Sequence, residues 1–116
     1  MDDDASRTPP TWTREALFGG RGTVTVRDWL RGAQAPPFGA VLRCTLSPGG
    51  SVGRHRQEAL PEIVVGLDGD GVAEVDGVER RLGPGDVVHL PLGSVLAIRN
   101  RSEAAPLEYL IVKAGS

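Results

Sequence analysis

Short runs of alternating or uniformly apolar residues, separated by glycine, proline and aspartate, are the feature that most restricts what this chain can fold into. The runs are GTVTVRDW (22–29), GAVLRCTL (39–46), EIVVGL (62–67), GVAEV (71–75), VERRL (78–82), DVVHLPL (86–92), VLAIRN (95–100) and LEYLIVK (107–113). Their length and pattern are typical of β-strands, and no long segment has helical periodicity. Sixteen glycines and nine prolines supply the turns between them. The sequence therefore predicts an all-β fold closed into a sandwich or barrel.

One turn is predicted in detail. Asp76 and Gly77 separate the runs 71–75 and 78–82 by two residues. Asp-Gly is typical of a tight β-hairpin, because both positions tolerate a positive φ. We therefore predict that these two runs form a hairpin.

The chain of 116 residues has the length of one domain. Residues 1–20 (MDDDASRTPPTWTREALFGG) are polar and contain a Pro-Pro pair, which predicts a flexible N-terminal tail. Within it, Trp12 and Leu17 are the side chains expected to contact the folded part. Residues 21–116 are predicted to form the single folded domain.

Composition excludes several classes of protein. The net charge is −2, so the chain has no basic surface for nucleic acid, and no apolar run is long enough to cross a membrane. Asp2, Asp3 and Asp4 stand where a signal peptide needs positive charge, which favours a cytoplasmic protein. Cys44 is the single cysteine, so no internal disulfide forms, and we expect it in the core. The excess of arginine over lysine suggests a bacterial origin.

Three polar residues form the most informative group in the sequence. His55 and Gln57 are two residues apart, so in a strand they point to the same face. After the turn EALP the chain can return antiparallel, so that Glu62 faces back toward them. All three side chains can bind a metal ion, and they can equally form the polar lining of a pocket held by mutual hydrogen bonds.

The spacing of these residues and of the surrounding glycines resembles the two motifs of small single-domain cupins. The first motif is represented by Gly49, His55, Gln57, Glu62 and Gly69, and the second by Gly85, Pro91, Gly93, Leu96 and Asn100. The match extends over about residues 38–114. The resemblance implies a cupin-type double-stranded β-helix, which is a jelly-roll barrel of two antiparallel sheets.

The resemblance also implies where a metal would bind. Cupins that hold a divalent metal typically use two histidines and a glutamate from the first motif and a histidine from the second. Here these positions are His55, Gln57, Glu62 and Leu96, so one histidine is replaced by glutamine and one by leucine. We therefore expect a site for zinc, nickel, manganese or iron that is weak or absent, with His55, Gln57 and Glu62 as its ligands. His89 is the one other histidine, and the sequence leaves open which face it occupies.

Two functions follow from the resemblance. In the first, the barrel binds a small organic molecule in a pocket lined by Gln57, Val64, Leu96 and Ile98. His55 acts there as acid or base with Glu62 as its partner, in isomerase, cyclase or decarboxylase chemistry that is metal-assisted or metal-free. In the second, the protein is a non-catalytic, metal-free ligand-binding or accessory cupin.

The resemblance further implies a homodimer, since small cupins pair through sheet faces or through swapped N-terminal strands. The run 22–29 is a plausible edge strand, and an uncovered edge strand is prone to pair with another chain. The expected partners are therefore a small-molecule ligand and a second copy of the chain.

Overall fold

The computed structural model describes residues 9–115, and ten β-strands account for most of this range. The strands are β1 (Thr11–Glu15), β2 (Thr23–Asp28), β3 (Phe38–Leu46), β4 (Ser51–Arg56), β5 (Glu62–Asp68), β6 (Gly71–Val75), β7 (Val78–Leu82), β8 (Val87–Leu90), β9 (Val95–Asn100) and β10 (Leu107–Ala114). A short 3-10 turn, Leu17–Gly19, follows β1. No helix within residues 9–115 has the length and apolarity needed to cross a membrane.

The strands form two sheets in which every neighbouring pair is antiparallel. The six-stranded sheet has the order β1-β2-β3-β10-β5-β8, and the four-stranded sheet has the order β4-β9-β6-β7. Strands that are consecutive in sequence often lie in different sheets, so the chain passes repeatedly from one sheet to the other. The predicted all-β jelly-roll of two antiparallel sheets is confirmed.

The core lies between the two sheets, and alternation along the strands decides which side chains enter it. In β5, Glu62 and Val64 are buried whereas Ile63 between them is exposed. The inward side chains of both sheets form a hydrophobic cluster that includes Leu46, Leu82 and Leu107. Strand periodicity thus places the polar Glu62 on the same inner face as the core.

The hairpin predicted at Asp76-Gly77 is confirmed. Val75 pairs with Val78, and the two turn residues have φ values of 49° and 83°. Both angles lie in the left-handed region, which aspartate tolerates better than most residues and glycine occupies without strain.

The sequence predicts a flexible tail that extends to residue 20, but part of this segment is folded in the structure. Thr11–Glu15 pair with β2 along their whole length, and Trp12 and Leu17 pack against the core. Without β1, the backbone N–H and C=O groups along the edge of β2 would be unpaired, and β1 provides their hydrogen-bond partners. The five residues of β1 have mixed polarity, so their sequence does not indicate a strand. Residues 1–8 of the predicted tail lie outside the described part of the chain.

Candidate functional site

A cavity of about 250 Å³ lies between the two sheets near the four-stranded sheet's β4 edge. Its walls are mostly apolar and come from β1, β2, β3, β4, β5, β9 and β10 and from the 3-10 turn after β1. The ionisable side chains on its surface are Arg14, Cys44, His55, Glu62, Tyr109 and Lys113. This combination of apolar walls and a few polar groups is typical of small-molecule sites.

The structure brings together some, but not all, of the residues predicted for the site. His55, Glu62, Leu96 and Ile98 line the cavity. Gln57 and Val64 are buried but are not among the lining residues. Val64 is fully covered by other core side chains, because it lies opposite Ile111 and Val88 in the middle of the sheet.

His55 owes its position to an irregularity in β4. The register between β4 and β9 shifts between Val52 and His55, so both residues line the cavity although they are three apart. A bulge of this kind redirects the side chains that follow it. Beyond the irregularity, His55 pairs directly with Leu96 on β9.

The imidazole of His55 is held in one orientation. Its Nδ1–H donates a hydrogen bond of 2.9 Å to the carbonyl oxygen of Gly53, and its ring stacks on Phe18 with centroids 4.0 Å apart. Because a carbonyl can only accept, the neutral ring carries its hydrogen on Nδ1. The lone pair is therefore on Nε2, which can accept a proton or a hydrogen bond.

Glu62 is a buried carboxylate with one cationic partner. Its side chain is 2% exposed, and its Oε1 lies 3.2 Å from Nζ of Lys113, the residue opposite it on β10. Burial raises the pKa of Glu62 above its ordinary value, and the charges of Lys113 and His55 offset part of that rise. The ammonium of Lys113 thus stabilises an anion that burial alone would disfavour.

The donor set does not fit the divalent metal that the resemblance implies. Among residues 9–115, no group of three or more histidine, cysteine, aspartate or glutamate side chains could hold a metal ion. Leu96 offers no donor atom, and Gln57 does not line the cavity. The carboxylate of Glu62 already contacts the ammonium of Lys113, whose positive charge would repel a metal ion bound beside it.

The other histidine does not replace the missing ligands. His89 is exposed on β8 and pairs with Ile63, whose side chain also points outward. The sequence left its face undecided, and the structure places it on the outer surface of the six-stranded sheet.

Cys44 and Tyr109 are neutral hydrogen-bonding groups in the wall of the cavity. They face each other across β3 and β10. Burial, with a smaller contribution from the charge of Glu62, raises the pKa of the Cys44 thiol to about 12. Burial also raises the pKa of Tyr109 well above its ordinary value, as do its neighbours Cys44 and Glu62. Neither group is an anionic nucleophile near neutral pH.

Lys113 and Arg14 were not predicted as site residues. Lys113 follows Tyr109 and Ile111 at intervals of two in β10, and all three line the cavity. That alternation was a usable signal, because residues two apart on a strand share a face. Arg14 had no such signal, since its strand was not predicted.

The segment after β1 closes the side of the cavity next to β4. Leu17 and Phe18 line the cavity, and the backbone of Phe18 lies against β4 at Gly53. A β-carbon at Gly53 would collide with the carbonyl oxygen of Phe18, so only glycine permits this approach. Phe18 itself has a φ of 52°, an unusual backbone conformation for a bulky residue.

Comparison with known proteins agrees with this architecture. A family model for the cupin domain matches residues 42–113. A predicted oxalate decarboxylase from Thermotoga maritima is 27% identical, with a TM-score of 0.79 over 91% of this chain and 92% of that one. A sugar phosphate isomerase from a cupin superfamily of Silicibacter pomeroyi is 26% identical, with a TM-score of 0.68 over 80% of this chain and 60% of that one.

A third solved structure shows the same fold at lower identity. The Cupin 2 conserved barrel domain protein from Salinispora arenicola is 22% identical, with a TM-score of 0.66 over 100% of this chain and 87% of that one. A search of curated proteins finds no match to this chain.

Proposed function

Since the chain belongs to the cupin domain family, whose model spans residues 42–113, we propose that its barrel binds a small organic molecule in the cavity between the two sheets. The cavity itself carries the proposal: its apolar walls surround a small set of polar groups that can orient a ligand. No step of the proposal uses a metal ion, because the donor set at this position does not fit one.

The volume limits the size of the ligand. A cavity of about 250 Å³ is slightly below the range of roughly 300–1,000 Å³ that is usual for drug-sized ligands, which suits a small organic molecule. A ligand of that size would displace water from apolar walls, which favours binding.

His55 is the residue best placed to do chemistry on such a ligand. Its Nδ1–H is bound to Gly53, so the lone pair on Nε2 can take a proton from a bound molecule and return it to another atom. Glu62, which lines the same cavity from the opposing sheet, would stabilise the imidazolium formed in that step. Proton transfer of this kind is compatible with an isomerase, cyclase or decarboxylase.

The binding proposal is tested with a fragment panel and two matched variants. Val52→Phe places a phenyl ring in the cavity, whereas Val78→Phe makes the same change at an exposed position on β7. We expect fragments to shift the amide NMR signals of residues around His55 and Tyr109 in the wild type and in Val78→Phe. These shifts should be lost in Val52→Phe. Fragments that bind equally to Val52→Phe, or only outside the cavity, would contradict the proposal.

A non-catalytic binding protein is the second candidate, and the mostly apolar lining of the cavity favours it. The two candidates differ in whether His55 moves a proton. For bound fragments with an acidic C–H bond, a catalytic His55 should exchange that hydrogen for deuterium in D₂O, and His55→Gln should bind them without exchange. Binding without exchange in the wild type would support the non-catalytic candidate.

A further inference from the structure

The charges around the cavity are biased toward the positive. Arg14 and Lys113 each place a cation on its wall, and Glu62 supplies the one carboxylate among the described residues that line it. Arg14 is exposed, so water solvates its charge, whereas Lys113 is partly buried beside Glu62. The cation on this wall that is partly withdrawn from water is therefore the ammonium of Lys113.

Lys113 has N–H donors left to bind an anion. An ammonium has three N–H donors, and Glu62 accounts for one of them at 3.2 Å. Among residues 9–115, Nζ of Lys113 has no second carboxylate partner, and its side chain is about one-third exposed, at 35%. The strand that carries Lys113 also holds it in place, since Glu62 is its direct partner across β5 and β10.

We propose that the cavity takes an organic monocarboxylate with an apolar body, and that Lys113 binds the carboxylate. This inference rests on the proposed function, because it names the class of ligand for the same cavity. The N–H donors of Lys113 that Glu62 leaves free can bind the oxygens of one carboxylate group. The apolar walls, including Leu96 and Ile98, would surround the body of the ligand.

Lys113 lies where it can select anionic ligands over neutral ones. The resemblance implies that a metal cation lies beside the corresponding carboxylate in cupins that hold a metal. In this protein the ammonium of Lys113 lies beside the carboxylate of Glu62 instead. Lys113 therefore provides an ammonium at the site, which can recognise an anion by charge-assisted hydrogen bonding.

Hexanoate and hexanamide form a matched pair of probes, since they have the same number of non-hydrogen atoms and differ in charge. Their affinities are measured by isothermal titration calorimetry near neutral pH. A hydrogen bond to a charged group favours hexanoate by about 10- to 100-fold in the wild type. Lys113→Met should bind the two probes with similar affinity, and Lys113→Arg should keep the preference.

Two further variants make the result decisive. If Lys113→Met folds poorly because Glu62 loses its partner, Lys113→Met combined with Glu62→Gln removes the whole ion pair and should also lose the preference. Arg14→Met removes the other cation and should keep it.

Three outcomes would overturn the inference. Equal affinity for hexanoate and hexanamide in the wild type would exclude anion recognition while leaving the cavity as a binding site. A preference for hexanoate that is lost in Arg14→Met and kept in Lys113→Met would show that Arg14, and not Lys113, binds the anion. If neither these probes nor any fragment of the panel binds in the cavity, the proposed function itself fails.

Discussion

Asn100 shows that a motif residue can serve the fold alone. It is buried, and its Nδ2 donates to the carbonyl oxygens of Leu46, Ser47 and Ala105, while its Oδ1 accepts from the backbone N–H of Ser102. The side chain thus joins the ends of β3 and β9 to the turn that leads into β10. A match to the family motif at a structural residue of this kind is therefore evidence for the fold. The chemistry depends instead on the residues that line the cavity.

The raised pKa of the Cys44 thiol leads to the prediction that the stability of the folded protein depends on pH. Its pKa is raised from 9.0 to about 12 in the folded protein, so above pH 9 the unfolded chain loses this proton while the folded chain keeps it. The folded state is then disfavoured as pH rises, with a slope of up to about 1.4 kcal/mol per pH unit. Between pH 8 and 10, wild type should lose about 1 kcal/mol of stability more than Cys44→Val.

Denaturant unfolding at both pH values measures this difference. Because Cys44→Val lacks the thiol, its loss of stability reports the contribution of all other titrating groups. Parallel losses in the two proteins would show that the thiol titrates alike in the folded and unfolded states.

At the level of elements, strand register decides which side chains meet. β4 and β9 place His55 directly opposite Leu96, and β5 and β10 place Glu62 opposite Lys113. Direct partners on one face have β-carbons about 5 Å apart. Among the residues that line the cavity, Glu62 and Lys113 therefore form a charged pair, and His55 and Leu96 form a mixed pair in which an imidazole faces an apolar side chain.

This register predicts the effect of Leu96→His. The new imidazole would lie beside His55 and add a donor, so zinc or nickel should stabilise the variant although the ammonium of Lys113 opposes the metal. In chelator the variant should be less stable than wild type by about 1–3 kcal/mol, because Leu96 is only 1% exposed and a polar ring would be buried there.

The control is Leu96→His combined with Lys113→Met, which should respond more strongly to metal in thermal unfolding because the competing cation is gone. Wild type should show little response. A wild-type response as large as that of Leu96→His would mean that the natural donor set binds metal after all.

For the whole molecule, we propose a homodimer formed through the outer face of the six-stranded sheet. Cross-strand neighbours on this face include Val41, Val112 and Ile63, and beside them Leu110 and Val65. Such a continuous apolar patch on an outer surface is typical of an interaction site.

The dimer is tested by light scattering at micromolar concentration. We expect twice the chain mass of 12.2 kDa for wild type. Ile63→Asp, at a position 36% exposed on this face, should shift the mass toward the monomer. Val78→Asp, at a position 56% exposed on the four-stranded sheet, should not. A wild-type mass of one chain would refute the proposal.

The sequence alone determined the features that depend on neighbouring residues. Alternation identified the strands from residue 22 onward apart from β4, Asp76-Gly77 identified the hairpin, and the spacing of the two motifs identified the barrel. It also placed His55, Glu62 and Leu96 where the cavity lies. These signals are local or follow a fixed spacing, so they can be read along the chain.

Only the tertiary structure decided what those residues face. The pairing of Lys113 with Glu62 depends on the register of two strands far apart in sequence, and the entry of Trp12 and Arg14 depends on β1 completing the sheet edge. Periodicity indicates that Val64 and Glu62 point inward, but the depth of packing leaves Glu62 on the cavity wall and covers Val64. Register and depth are set by the packing of the whole chain, which no short segment specifies.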